Sequence, residues 1–325
     1  MSYGRYKGPY NEKNPIPDGE ARISIYNYTP ALALGLIGAI LFGLAAIGHF
    51  YFWWIGGKKR VARDGRGRPT RWFEALWTLG CVMEVVGYGF RTYSHKNPFY
   101  VNAFIIQYFF LVVAPVFFAA AVYLALKYAI NLNEENLRIS PVKQTFVKVF
   151  ITIDALTTIL QIVGAALIGV AESRRANQKA SPITSDQAND ILLAGLAAQN
   201  ASFLVFLVIL GVIIFRIRKA PEQHRTASIE KRHESDVSSP RAVEAGLAHN
   251  YGVATYTKTF LWVLVVSSLL IFARTLYRLA ETAEGVWGNA SSIEALFGVF
   301  EFAPVVVAAW LWIVRPLRRE MVRMS

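Results

Sequence analysis

Residues 31–55 read ALALGLIGAILFGLAAIGHFYFWWI, a run of more than 20 positions without a Lys, Arg, Asp or Glu. About 20 helical residues cross a hydrocarbon core about 30 Å thick, so this stretch is long enough to span a membrane. A soluble helix of that length keeps a polar face, which is missing here. Seven such apolar segments can be marked, at about Pro30–Ile55, Trp72–Phe90, Ala103–Ile130, Phe146–Val170, Ile191–Phe215, Thr259–Leu279 and Ile293–Val314. The chain is 54% hydrophobic and only 17% charged, against roughly a quarter charged in a soluble domain. The expected fold is therefore all-α, an integral membrane bundle of seven transmembrane helices.

The basic residues set its direction. Lys58, Lys59, Arg60, Arg63, Arg66, Arg68 and Arg71 crowd the first connection, and Arg216, Arg218, Lys219, Arg225, Lys231, Arg232 and Arg241 the fifth. The tail adds Arg315, Arg318, Arg319 and Arg323, whereas the sixth connection, 280–292, holds neither Lys nor Arg. The positive-inside rule then places the N-terminus outside and the C-terminus in the cytosol. Read this way, the net charge of +12 is a topology signal and not a nucleic-acid surface. The chain divides into an extracellular segment 1–29, a transmembrane domain 30–315 and a basic cytosolic tail 316–325. Within the domain, the polar, Ser-rich stretch 216–255 is expected to be a disordered loop. Residues 1–29 show no basic-then-apolar signal, so the first span is expected to direct its own insertion. Trp53, Trp54, Trp72, Trp310 and Trp312 read as interface anchors at the cytosolic side.

Against this apolar background a few charges stand out. Glu84, Tyr88 and Arg91 recur on one face of the second span, and Arg274 with Glu281, and Glu294 with Glu301, repeat the seven-residue spacing on the sixth and seventh. Counting helical rise inward from the outer ends puts Glu84, Arg274 and Glu301 ~8–12 Å deep. A lone charge in the membrane costs ~3 kcal/mol or more, so these groups should turn inward and pair. Arg274 between Glu84 and Glu301 is the cheapest arrangement, with Arg91, Glu281, Glu294 and Arg278 in a rim above it. Such a two-layer set opening to one side suits a polar cavity; a purely structural role, fixing helix order, is the alternative. By depth His49 and Asp154 form a second, inner polar pair with Gln161 near it, where a His–Asp contact could carry protons. Pro115, inside the third span, frees a backbone carbonyl one turn earlier and kinks that helix.

At these residues the chain resembles the fungal lipid-translocating exporter family named for aminocholesterol resistance. The resemblance runs over nearly all the spans. It is carried by Tyr28, Pro30 and His49; Glu84, Gly87, Tyr88 and Arg91; Ala114, Pro115 and Tyr123; Asp154, Gln161 and Gly164; Gly195 and Gln199; and most specifically Arg274, Tyr277, Arg278, Glu281, Gly285 and Glu294. Glu301 stands where the family pattern has Asp, and Gly298 where an aromatic residue is usual. The resemblance implies a fungal plasma-membrane protein that exports or translocates amphipathic lipids, sphingoid-base-like or sterol-like, and confers resistance to membrane-active compounds. Membrane lipids and a lipid-like substrate are the partners it implies, with no nucleic acid and with oligomeric state left open.

Other seven-helix classes meet objections in the residues themselves. A retinal protein needs a Schiff-base lysine in its last helix, and no Lys follows Lys258. A zinc amidase needs several intramembrane histidines, and of the five in the chain only His49 lies in a span. Neither an enzyme, a metal site nor a cofactor is expected. A receptor or sensor of membrane lipid stress has the right topology and is the alternative to a carrier, although the third span ends LALKYAI with no acid-Arg-aromatic triplet. The orientation predicts that a protease-sensitive tag at the C-terminus is cut in permeabilised cells and protected in intact ones. Digestion in intact cells would reverse the topology.

Overall fold

The computed structural model of the chain describes residues 8–17, 19–24, 26, 28–58, 69–132, 144–176, 182–234, 240–285 and 288–317. Of these, 56–58, 69–70, 129, 131–132, 144–147, 172–173, 175–176, 217–234, 240–257 and 289 are described by backbone alone. Among the described residues there is no β-strand, only two isolated bridges, Tyr10 to Ile23 and Glu20 to Tyr100. The helices are α1 (Leu32–Lys58), α2 (Pro69–Lys96), α3 (Val101–Leu132), α4 (Gln144–Ala176), α5 (Ser185–Glu234) and α6 (Pro240–Ala283). The last segment is composite: α7 (Asn289–Ser292), α8 (Glu294–Leu296), a π-helical turn over Phe297–Phe302, and α9 (Ala303–Val314).

Burial is inverted relative to a water-soluble protein. Glu74, Glu84, Arg91, Asp154, Arg274 and Glu301 are buried, while Leu36, Ile37, Ile40, Leu44 and Ile47 on α1 are exposed, as are Leu156 and Ile159 on α4. An apolar belt of this kind is sustainable only against lipid. Six helices among the described residues are long and apolar enough to cross a membrane: Leu32–Ile55, Val101–Tyr128, Lys148–Ala171, Ser185–Arg216, Lys258–Ala283 and Glu294–Val314. The expected second span, α2, falls outside that set. It is 28 residues long, but Glu74, Glu84 and Arg91 dilute its apolar character.

Those three side chains are buried because α2 packs between α1 and α3. Consecutive helices pack side by side from α1 to α6, and α9 returns to touch both α6 and α1. The third helix also reaches α6. Small residues allow the close crossings: a Cβ on Gly164 of α4 would lie 2.6 Å from the backbone nitrogen of Leu192 on α5, and one on Gly38 of α1 2.5 Å from the Tyr88 ring.

Three expectations meet a different structure. The backbone of α5 continues to Glu234 and α6 begins at Pro240, so helix stands over most of 216–255 where a disordered loop is expected. Residues 235–239 lie outside the described residues. The stretch is rich in Ala, Arg and Glu, all strong helix formers. Trp312 is no interface anchor, being fully buried against Phe73 and Phe260, whereas Trp54 and Trp72 are exposed. The seventh span is not a plain helix. Pro304 offers no N–H to the carbonyl of Phe300, and the chain responds with a wider turn in which the Ala303 N–H donates to Gly298 O.

The α4–α5 crossing gives a test. Gly164→Val should lower stability in detergent by about 1–3 kcal/mol, read as an earlier thermal unfolding midpoint, because the added methyls meet backbone and not a movable side chain.

Candidate functional site

Two devices position the charged layer. The π turn carries Glu301 into the bundle, and Pro115 leaves the carbonyl of Leu111 without its helical donor. Arg274 on α6 uses both. Its Nη2 donates to Glu301 Oε1 at 2.5 Å and to Leu111 O at 2.6 Å, and lies 3.4 Å from Glu84 Oε1. Arg274 therefore sits between the two acids, hydrogen-bonded to Glu301 and to the Leu111 carbonyl that Pro115 leaves without a helical donor. Arg274 Nε and Nη1 and Glu84 Oε1 have no hydrogen-bond partner in the protein.

Arg278, one turn outward, ties this layer to the rim. Its Nε donates to Glu301 Oε2 at 2.9 Å, its Nη2 to Glu301 Oε1 at 2.9 Å, and its Nη1 to Glu281 Oε2 at 2.9 Å. Glu281 is thus held by Arg278, three residues earlier on the same helix. Arg91 turns the other way, donating to Glu294 Oε1 at 2.6 Å and to the Tyr28 hydroxyl at 3.0 Å, with its guanidinium 4.2 Å from the centroid of Phe297. Glu294 accepts as well from the Ala31 N–H, at 2.8 and 3.1 Å, which places a carboxylate on the N-terminus of α1. Tyr88 does not extend the polar stripe; its ring stacks on Phe42 at 5.5 Å and meets Phe302 edge-on at 5.4 Å.

The inner pair is not formed. His49 Nδ1 lies 2.7 Å from Glu74 Oε2 and its Nε2 3.3 Å from Ala309 O, with the ring stacked on Trp77. Asp154 accepts from the Tyr123 hydroxyl at 2.7 Å, and Gln161 donates to Gln199 at 2.7 Å. Equal depth is not adjacency: α1 packs on α2 and α9, whereas α4 packs on α3 and α5.

Above the charged layer lies a cavity of about 220 Å³. Arg91, Arg278 and Glu281 line it together with the polar Tyr28, Gln107 and Asn189. The lining also includes the apolar Val112 of α3 and Ile162, Ala165 and Ala166 of α4, and Ile105 and Phe109 of α3, which are exposed. Glu84, Tyr88, Arg274, Glu294 and Glu301 stand behind the lining and do not form it. The N-terminal segment closes one side. Gly19, at φ 84°, lets the chain turn against the Tyr100 ring, Ala21 N donates to Phe99 O, and Tyr26 is inserted with its hydroxyl donating to Gln107 Oε1 at 2.6 Å. Burial pushes the Tyr26 hydroxyl up to about 12, so it stays a donor. Tyr26, Gln107, Tyr108 and Phe297 escape a search for charges, because only their neighbours in space make them part of the site. Glu74 could have been found as a carboxylate early in the second span.

These features describe an all-helical integral membrane protein with a charged network behind a cavity lined by both charged and apolar side chains. The chain belongs to the family described as RTA1 like protein, whose family model matches residues 77–320. It is 26% identical to Protein RTA1 of Saccharomyces cerevisiae over 89% of this chain and 84% of that protein. It is also 26% identical to the sphingoid long-chain base transporter RSB1 of Saccharomyces cerevisiae over 73% of this chain and 62% of the transporter. Protein RTM1 of the same yeast is 27% identical over 73% of this chain and 64% of its own length. No solved structure matches the chain.

Removing the central cation should be costly. Arg274→Gln leaves Glu84 without its ion partner and removes the guanidinium from Glu301 and the Leu111 carbonyl, and a loss of about 3–5 kcal/mol is expected, measured as thermal unfolding in detergent. Adding Glu84→Gln should return part of that loss. A single Arg274→Gln protein as stable as the wild type would show that the network carries little fold stability.

Proposed function

We propose that this protein is a seven-helix carrier of the fungal plasma membrane that translocates or exports single amphipathic lipids, sphingoid-base-like or sterol-like. In this reading α2 is the seventh span, the N-terminus lies outside and the C-terminus in the cytosol. The cavity carries the argument, since it joins a charged end at Arg91, Arg278 and Glu281 to an apolar arm that reaches the lipid-facing side chains Ile105 and Phe109. An amphipath fits both ends at once, its headgroup on the charges and its chain against α3 and α4. Glu84, Arg274, Glu294 and Glu301 hold the lining charges from behind, and Tyr88 wedges α2 against α1 and the last segment. The similarity to the yeast sphingoid long-chain base transporter supports a lipid-like substrate, although the chain spans only 62% of that relative.

Reconstitution tests this directly. Purified protein in vesicles should move a fluorescent single-chain amphipath between leaflets at least tenfold faster than protein-free vesicles. Ala166→Trp, which fills the apolar arm while leaving every charge in place, should bring the rate to background with folding retained. Folded wild-type protein that moves nothing would overturn the carrier reading and favour a sensor of membrane lipids.

A further inference from the structure

The buried charges do not balance. Arg91 and Glu294 neutralise each other, which leaves Glu84, Glu281 and Glu301 around Arg274 and Arg278. Three carboxylates thus face two guanidiniums. Among the described residues no other charged side chain facing this cluster repairs the difference. The N-terminal segment brings Tyr26 and Tyr28, α3 brings Tyr108 and Gln107, α5 brings Asn189 and α6 adds Tyr277, while Cys81 and Tyr88 of α2 face Glu84 itself. His95 of α2 lies on the Glu294 side, its Nδ1 2.8 Å from Pro30 O, and Glu284 is engaged with the Ala290 N–H.

An uncompensated negative charge inside a membrane bundle is costly, so the cluster has room for one monovalent cation. Two places could take it. Glu84 is the least compensated acid: it is buried, its ion contact to Arg274 is 3.4 Å against 2.5 Å for Glu301, and its Oε1 has no hydrogen-bond partner. Glu281 is the acid that lines the cavity, and its bond to Arg278 is made through Oε2.

We propose that the site exchanges one proton for one cationic headgroup, the proton resting on Glu84 when the cavity is empty and leaving when an ammonium headgroup settles beside Glu281. The inference rests on reading the cavity as an amphipath site. The proton on the Glu84 carboxyl passes to solvent, the ammonium keeps its own protons, and the buried network holds the same total charge before and after. Because the two cations share one compensating charge, each weakens the other's binding by the same factor. A pH difference across the membrane could then bias which side a cationic lipid leaves from, using Glu84 as the only titrating group required.

Calorimetry on the full-length protein in nanodiscs tests the exchange, with dodecylamine and dodecanol as probes of equal chain length. Between about pH 5.5 and 7.5 the amine stays charged, so any proton released belongs to the protein. Titrations in two buffers of different ionisation enthalpy should show close to one proton released per amine bound. Amine affinity should rise by up to about tenfold per pH unit, as one linked proton requires. Dodecanol should bind at least tenfold more weakly and release none. Glu84→Gln mimics the protonated carboxyl, so it should fold, bind the amine at least tenfold more weakly than wild type at pH 7.5, and lose both the proton release and the pH slope. Amine binding to wild type without proton release, proton release that survives in Glu84→Gln, or a Glu84→Gln chain that fails to fold would each overturn the exchange and leave the cavity reading in place. If neither amine nor alcohol binds, the cavity reading falls and the exchange with it.

Discussion

Everything at the end of the bundle beneath the N-terminal segment depends on how a single guanidinium is accommodated away from water. Arg274 is buried; its Nη2 donates to Leu111 O on α3 and to Glu301 Oε1 in the last segment, and Glu84 of α2 lies 3.4 Å away as an ion partner. Both acceptors depend on a departure from ordinary helix, Pro115, which leaves the Leu111 carbonyl without its N–H donor, and the π turn that presents Glu301. A residue with an N–H in place of Pro115 would engage the Leu111 carbonyl within α3, and a regular last helix would rotate Glu301 relative to α6. The charge thus explains the prolines, and the prolines explain how the charge is tolerated.

From this point the rim follows. Arg278 reaches down to Glu301 and across to Glu281, so the two charge layers form one connected body along α6. Phe297, in the same π turn, lies within 4.2 Å of the Arg91 guanidinium and 5.8 Å of that of Arg278, a shared aromatic face for two like charges. The cavity is what remains between this rigid charged wall on α6 and the small side chains of α4. Its boundaries are set by helices that pack independently of it, which is why a ligand could be accommodated without rebuilding the bundle.

The opposite half of the protein is built on a different pair. His49 and Glu74 close the α1–α2 crossing beneath the Trp77 ring, with Ala309 of α9 as the third participant. Asp154 and Tyr123 do the same for α3 and α4, and Gln161 with Gln199 for α4 and α5. Each of these polar contacts joins helices that are neighbours in the chain order, so they specify packing partners and rotation where uniformly apolar surfaces would leave both loose.

How much of this was legible beforehand divides along one physical line. Hydropathy and charge are properties of the chain itself, so the membrane class and the all-helical architecture follow from counting residues along a helix of known rise. The counting even placed Arg274 between two acids, because few cheap partners exist for a buried guanidinium. It failed where contact order mattered: depth alone paired His49 with Asp154, although α1 and α4 are not neighbours. Tyr88 shares a helical face with two charges, yet its ring is an aromatic wedge. The sequence by itself determined which residues could not be left facing lipid; only the packing of the helices decided which partner each would find, since one dimension records depth and rotation but never which helix stands alongside.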